Sequence, residues 1–218
     1  MKNALIALTL LAGTSGALAQ TVTYTGAQPM TTTNWGTFAV SLPQFDNTPS
    51  GAFFGYNLTG VTLTVSGTVQ GDVRLESLDN SAASLTYNLA ASVTFAGPGG
   101  ASAVALPVAS GSFAATAFDG TIDFGGTSGI SLLNLTNSNT ASSTPGSFAG
   151  YIGNGSVPLT IGAVGASNAS GAGNVISAFA TDASADYRIV YTYEAIPTPG
   201  AAALLGLGGL VAFRRRRA

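Results

Sequence analysis

The side chains best suited to chemistry in this sequence are two aspartates that flank a glycine. Asp119 and Asp123 enclose the run Asp-Gly-Thr-Ile-Asp, and Gly125 and Gly126 follow it. Carboxylate oxygens are ligands of the kind that Ca²⁺ takes, about 6–8 to each ion. The run lacks the spacing of an EF-hand loop, and Asp-Gly is also a common turn sequence between strands. We therefore expect a turn here, with a calcium site at Asp119 and Asp123 as the alternative.

The two glutamates are the candidates for acid–base chemistry. A glycosidase works with a pair of carboxyl groups, and Glu76 or Glu194 would serve as its acid. Asp72, Glu76 and Asp79 also form a second acidic group in the sequence. Both glutamates are expected to point outward from strands, where an acidic side chain is ordinarily solvated. The sequence accordingly predicts no catalytic residue, and a glycoside-active enzyme is the third of three functional hypotheses.

Missing residue types exclude most other site chemistry. The 218 residues include no His and no Cys, which excludes Ser-His-Asp triads, thiol nucleophiles, disulfides and His-ligated zinc. Five of the seven basic residues are Lys2 and the terminal Arg214–Arg217, which leaves Arg74 and Arg188 against all nine acidic residues between 20 and 195. A body with that acidic excess will not bind nucleic acid, which requires clustered positive charge.

Three aromatic residues, Phe53, Phe54 and Tyr56, lie close together in one segment. Exposed aromatic side chains mark binding surfaces, so together with Asp119 and Asp123 they would suit a calcium-assisted carbohydrate-binding module. The alternative is that they fill one end of a hydrophobic core. The sequence favours the core position and leaves carbohydrate binding as the second hypothesis.

Polar and apolar residues alternate through the body of the chain. Every second residue from Val61 to Leu75 is apolar or glycine, and the period of two recurs over Leu85–Phe95 and Tyr187–Tyr193. This period indicates strands with one buried side, and such strands must pack against a second layer. Turn sequences at intervals of about ten residues are typical of a sandwich. We predict an all-β protein with a single antiparallel β-sandwich or jelly-roll-like domain over residues 20–195.

Two features of the body indicate departures from regular strands. Residues 163–173 consist almost wholly of Ala, Gly, Ser and Asn, and such low complexity predicts a mobile loop. Gly67 and Gly71 interrupt the apolar positions of their strand, and glycine there indicates a bend or bulge.

The first 19 residues have the features of a secretory signal peptide. Lys2 supplies the positive start, Ala4 to Ala12 form a short apolar stretch, and Ala17-Leu18-Ala19 is an A-x-A cleavage sequence. Signal peptidase is therefore expected to cut between Ala19 and Gln20, which would leave an exported mature chain.

Residues 196–218 form a second segment with a targeting pattern. Pro197 and Pro199 precede an uncharged run from Ala201 to Phe213, and Arg214, Arg215, Arg216 and Arg217 follow it. A helix from Ile196 to Phe213 would measure about 27 Å, close to the roughly 30 Å of a bilayer's hydrocarbon core. The arginines would stay on the cytoplasmic side and leave the body outside. The pattern predicts a C-terminal hydrophobic helix that anchors the chain.

This combination of a proline motif, an apolar run and a terminal arginine cluster resembles the PEP-CTERM sorting signal of Gram-negative bacteria. The resemblance implies recognition by an exosortase, a membrane-embedded transpeptidase-like enzyme. The usual motif is Pro-Glu-Pro, whereas this chain has Pro197-Thr198-Pro199. A plain membrane anchor with nothing removed is the alternative.

A second resemblance covers most of the body, from about Thr31 to Glu194. It rests on short segments in a fixed order: Trp35, Phe38–Pro43, Phe45-Asp46, Leu58–Val65, Gly67–Gly71 with Glu76 after it, and Val190–Tyr193. Their order is similar to that of the bacterial choice-of-anchor E domain. That family joins one extracellular β domain to alternative C-terminal anchors and has no established catalytic residues. The resemblance therefore implies a location and no chemistry.

The first functional hypothesis is an exported, envelope-anchored surface or extracellular-matrix protein without catalytic activity or a cofactor. Its partners would be signal peptidase, an exosortase-like enzyme, the membrane through the C-terminal helix, and an extracellular polysaccharide. The protein would be held at the cell envelope or released from it into the matrix.

Overall fold

A computed structural model of the chain describes residues 19–171 and 173–196. Within these ranges it contains ten strands and two short 3-10 turns, Pro98–Gly100 and Ala149–Tyr151, which confirms the all-β prediction. Among these residues no helix is long and apolar enough to cross a membrane. Residues 1–18 of the predicted signal peptide and residues 197–218, with the proline motif and the arginines, lie outside the described residues.

The strands follow one another in chain order. They are β1 (Gln20–Thr32), β2 (Gly36–Pro43), β3 (Tyr56–Ser77), β4 (Ala83–Ala96), β5 (Ser102–Ala105), β6 (Val108–Ala115), β7 (Gly129–Ser143), β8 (Ser156–Gly165), β9 (Asn168–Ser170) and β10 (Val175–Ala195). Long connections precede β3, β7 and β8. The first sheet has the order β1-β10-β3-β7, and the second has the order β2-β8-β4-β5, with β6 and β9 also paired to β4.

The topology is that of a jelly roll. Along one side of β4, β5 and β6 form a single interrupted path, and β8 and β9 form another along its other side. Counted in this way, the chain crosses between two four-stranded antiparallel sheets at every connection except that from β4 to the β5–β6 path, as in the Greek keys of a jelly roll. The predicted β-sandwich is therefore confirmed.

The core lies between the two sheets and is built from the predicted apolar positions. The fully buried side chains include Leu63, Val65, Val69, Val73, Leu75, Leu85, Leu89, Val93, Phe95, Ile189 and Tyr191. The buried hydroxyls of Tyr151 and Tyr191 donate to the carbonyl oxygens of Pro98 and Pro43, both at 2.8 Å. Burial raises the pKa of Tyr151 to about 12 and also raises that of Tyr191, because a phenolate would lose its hydration.

The predicted irregularity at Gly71 is a β-bulge. The pairing of β3 with β7 shifts register between Gly71 and Val73. A side chain at Gly71 would overlap the carbonyl oxygen of Ala180 on β10, so the close strand approach requires glycine. The carboxyl group of Asp72 accepts a hydrogen bond from the backbone N–H of Asn134 across the bulge, at 2.9 Å.

Side chains of β7 close one side of the sandwich. Ser143 and Asn139 accept from the backbone N–H groups of Ser102 and Leu106, both at 3.1 Å, and Asn137 donates to the Val108 carbonyl oxygen at 2.6 Å. These bonds link the edge of the first sheet to that of the second. Edge groups that would otherwise be open to another chain are thereby partly satisfied.

The prediction of a loop over residues 163–173 is wrong for most of the segment. β8 continues to Gly165, and β9 pairs with Thr86–Asn88 of β4. Cross-strand polar pairs hold β9 in place: Thr86 with Ser170 at 3.0 Å, and Asn88 with Asn168 at 3.1 Å. The composition of this segment does not favour a strand. The segment forms one because its small polar residues hydrogen-bond to partners on β4.

Candidate functional site

Asp119 and Asp123 lie in the loop between β6 and β7, over residues 116–128. Each carboxyl group accepts a hydrogen bond from a backbone N–H two residues further on: Asp119 from Thr121 at 3.0 Å, and Asp123 from Gly125 at 2.9 Å. These are Asx-turns, in which the side chain stabilises its own bend. Gly120 adopts a φ of 97°, a conformation that suits glycine. The local bonds are those of the turn that the sequence favours.

A calcium site needs more oxygen ligands than these two aspartates provide. Across residues 19–171 and 173–196, no group of three acidic side chains is placed to hold a metal ion. The nearby carboxyl group of Glu76 is already engaged by the protein. Backbone carbonyl oxygens and waters would have to complete a shell of about 6–8 oxygens, so calcium at Asp119 and Asp123 stays a prediction.

The outward position predicted for Glu76 is wrong. Its side chain is fully buried at the end of β3, because the 116–128 loop folds over that end of the sheet. One carboxyl oxygen accepts from the backbone N–H of Phe124 and the other from the Ser128 hydroxyl, both at 2.7 Å. A side chain at Gly129 would overlap this carboxyl group. Glu76 thus anchors the loop and does not face solvent.

The two glutamates cannot form a glycosidase pair. Glu194 lies opposite Asn57 near the start of β3, whereas Glu76 lies near its end. At about 3.3 Å per residue, the length of strand between these two positions is roughly 60 Å. Glycosidases hold their two carboxyl groups about 5–10 Å apart.

The aromatic segment packs into the core at the other end of the sandwich. Phe53 stacks on the buried Phe45 with ring centroids 4.4 Å apart, and both rings contact Tyr193. Tyr56 meets Tyr193 edge to face at 5.2 Å. These contacts confirm the core prediction for Phe53 and Tyr56. Phe54 differs, since 63% of its surface is exposed.

The structure does not bring the two aspartates and the aromatic segment together. Phe53 precedes the start of β3, and the Asp119 loop covers the end of that strand. We call these the aromatic end and the loop end of the sandwich. A carbohydrate site that uses both groups would have to span the whole molecule.

The structure shows instead a groove of about 640 Å³ on the outer surface of the first sheet. Its lining comprises Thr25, Gly26, Ala27, Thr64, Ser66, Thr140, Asp186, Tyr187 and Arg188. Two adjacent cross-strand rows build it. Arg188 lies between Thr25 and Thr64, and in the next row Asp186 lies between Ala27 and Ser66. The groove therefore crosses three strands of one sheet and reaches the fourth.

Hydroxyl pairs line the side of this groove between β3 and β7. Thr64 bonds Ser142 at 2.9 Å, and Thr140 donates to Ser66 at 3.0 Å. A third pair, Thr68 with Ser138 at 2.8 Å, continues the row beyond the groove. Each hydroxyl keeps further donor or acceptor capacity after its pairing. Together with the exposed Asp186 and Arg188, the row offers hydrogen-bond partners to a ligand rich in hydroxyl groups.

Sequence reasoning missed the groove because its rows exist only after the strands pair. The signal was the polar half of the alternation along β3 and β10, which includes Thr64 and Ser66 on β3 and Asp186 and Arg188 on β10. Those positions indicate a solvated surface, but the register between β1, β10 and β3 decides which of them become neighbours.

No family model matches the chain, and no curated protein matches it. Solved structures of infectious bursal disease virus, from the Gx and Gt strains, align with it at 13% identity. The alignments cover 93% and 91% of this chain but 47% and 48% of those chains, so this chain spans about half their length. Their TM-scores of 0.12 and 0.11 are too low to support any argument about fold or function.

Proposed function

We propose that the protein is an exported, envelope-anchored surface or extracellular-matrix protein without catalytic activity. The observation that supports this most strongly is that both ends of the body leave the sandwich together. Gln20 at the start of β1 pairs with Tyr193, two residues before β10 ends at Ala195. The predicted cleavage site and the predicted anchor therefore adjoin the same end, and the rest of the body projects away from that end.

The end of β10 agrees with the expected start of the sorting segment. Pro197 and Pro199 lack the N–H groups that a continuing strand would need, and β10 stops at Ala195. The ten strands of the described body all lie within residues 20–195. In this proposal residues 197–218 carry the PEP-CTERM-like signal for an exosortase-like enzyme, or serve as a plain anchor.

The proposed partner outside the cell is a polysaccharide, bound in the groove of the first sheet. Polysaccharides present dense hydroxyl groups, which the Thr and Ser rows match in kind. The Asp186 carboxyl group can accept hydrogen bonds and the Arg188 guanidinium group can donate them, so the groove offers both kinds of bond to a sugar. This site is separate from Asp119 and Asp123, whose carboxyl groups accept backbone hydrogen bonds within their own loop.

Deletion of residues 197–218 tests the anchor. The shortened chain keeps all described strands, so we expect it to fold, to be cleaved before Gln20 and to appear free in the culture medium. The full chain should remain with the envelope or the matrix. Cell fractionation, N-terminal sequencing and intact-mass analysis measure these outcomes. Equal release of both chains would contradict the proposal.

Substitution of Arg188 tests the groove. In Arg188→Ala, loss of a charged hydrogen-bond donor should weaken binding to the host's own extracellular polysaccharide about tenfold or more. Arg74→Ala is the matched control, because Arg74 on β3, like Arg188 on β10, is an exposed arginine of the same sheet but lies outside the groove. Affinity electrophoresis of the full chains measures the difference. Equal weakening by both substitutions would show that general charge, not the groove, binds the polymer.

A further inference from the structure

Three large apolar side chains are exposed around the aromatic end of the sandwich. They are Phe54, Ile152 and Ile196, with 63%, 38% and 54% of their surfaces exposed. We call this set the apolar rim. All three adjoin one cluster: Phe54 follows Phe53, Ile152 forms a bridge with Phe45, and Ile196 follows the strand that carries Tyr193. The rim therefore surrounds the place where the chain continues into residues 197–218.

Backbone bonds fix Phe54 in its exposed position. Its N–H donates to the carbonyl oxygen of Gly51 at 3.2 Å, and the N–H of the preceding Phe53 donates to the backbone carbonyl oxygen of Asp46 at 2.9 Å. The carboxyl group of Asp46 in turn accepts from the N–H and the hydroxyl of Thr48. Phe53 is held in the core by its stacking on Phe45, so the loop presents Phe54 outward from a rigid base.

Ile196 is tied to the same loop. Its N–H donates to the carbonyl oxygen of Gly55 at 2.8 Å, which joins the last described residue to the neighbour of Phe54. From Ile196 to Ala201, where the apolar run begins, the chain can span at most about 18 Å. If that run enters a bilayer, the rim lies within this distance of the hydrocarbon core. The interfacial layer on each side of that core is itself about 5–8 Å thick.

The charges near the rim favour a neutral lipid surface. Asp46 and Glu194 are the acidic residues of this end, and both are partly buried. Neither of the arginines of the described body lies here, since Arg74 and Arg188 belong to the outer surface of the first sheet. Attraction to anionic lipids needs Lys or Arg. The rim is therefore suited to apolar insertion among zwitterionic headgroups.

We propose that the apolar rim rests in the interfacial layer of the membrane that holds the C-terminal segment, with Phe54 as the deepest contact. The inference depends on the proposed anchoring function. Phe54 and Ile152 then act beside the anchor as a second membrane contact, and they fix the tilt of the body so that the groove and the loop end face outward. Aromatic side chains at such positions favour the boundary between headgroups and acyl chains.

Fluorescence quenching by brominated phosphatidylcholine tests the contact. The full chain is reconstituted in vesicles, and every variant also carries Trp35→Phe. That change removes a buried indole N–H that has no hydrogen-bond partner in the described structure. Phe54→Trp then places the only tryptophan in the rim. Leu133→Trp is the matched control, since Leu133 is 59% exposed and lies towards the loop end, opposite the end of β3.

We expect brominated lipid to quench Trp emission about twofold at position 54 and to leave emission from position 133 unchanged. The bromine atoms are confined to the bilayer and quench only tryptophans close to them. Ile152→Trp provides a second rim position in case the first variant does not fold. Flotation of the vesicles separates the two proposals. A chain that does not float with them overturns both, whereas a chain that floats with unquenched rim positions overturns the membrane contact alone.

Discussion

Replacing Leu63 by alanine is expected to lower the free energy of unfolding by about 2–5 kcal/mol. Leu63 is fully buried near the middle of the first sheet, opposite Ile189 on β10 and Ser143 on β7. Its removal leaves a cavity between the two sheets, and β3 is paired on both sides and cannot easily move to fill it. Urea unfolding of the full chain, followed by Trp35 fluorescence, measures the loss.

Thr62→Ala is the matched control for this prediction. Thr62 lies one residue away on the opposite surface of β3, partly buried, and its loss should cost under about 1 kcal/mol. Thr64 is a less suitable control, because the structure buries it and bonds it to Ser142, so its replacement should cost about 1 kcal/mol. Equal losses at positions 62 and 63 would contradict the assignment of inner and outer surfaces.

The sandwich was predictable because a period of two is a local property of the chain. Val61 to Leu75 keeps one period of two, with glycine at two of its apolar positions, and a strand with one apolar side must pack against a second layer. The jelly-roll order was not predictable in the same way. The pairing of β10 between β1 and β3 joins residues that are far apart in the sequence, and no local pattern records it.

The errors have a common physical cause, which is that neighbours override local preference. Residues 168–170 have the composition of a loop but become a strand because β4 offers an unpaired edge. Glu76 occupies a polar position of its alternation, yet the 116–128 loop covers it. The groove depends on register for the same reason. In each case the deciding partner lies roughly 40 residues or more away in the sequence. Periodicity describes only nearby residues and therefore cannot predict such a contact.

The predicted effect of changing Glu76 follows from its buried bonds. Glu76→Ala removes both acceptors, leaves the Phe124 N–H and the Ser128 hydroxyl proton without their acceptors, and creates a cavity. We expect a loss of about 2–5 kcal/mol, because unsatisfied buried donors and a cavity both contribute. Hydrogen exchange at the Phe124 amide should accelerate by a larger factor than exchange at core positions of β4, since the loop itself loses its anchor.

Glu76→Gln tests whether anchoring of the 116–128 loop requires a carboxyl group or only a side chain that can form the same hydrogen bonds. The glutamine oxygen can accept from the Phe124 N–H while its amide donates to the Ser128 oxygen, because a hydroxyl serves as donor or acceptor. The variant should therefore stay within about 1 kcal/mol of the parent and keep the Phe124 amide protected. Polysaccharide binding in the distant groove should be unchanged in both variants. Loss of binding in Glu76→Gln with the loop intact would instead mean that the buried carboxyl group has a functional role, which its burial argues against.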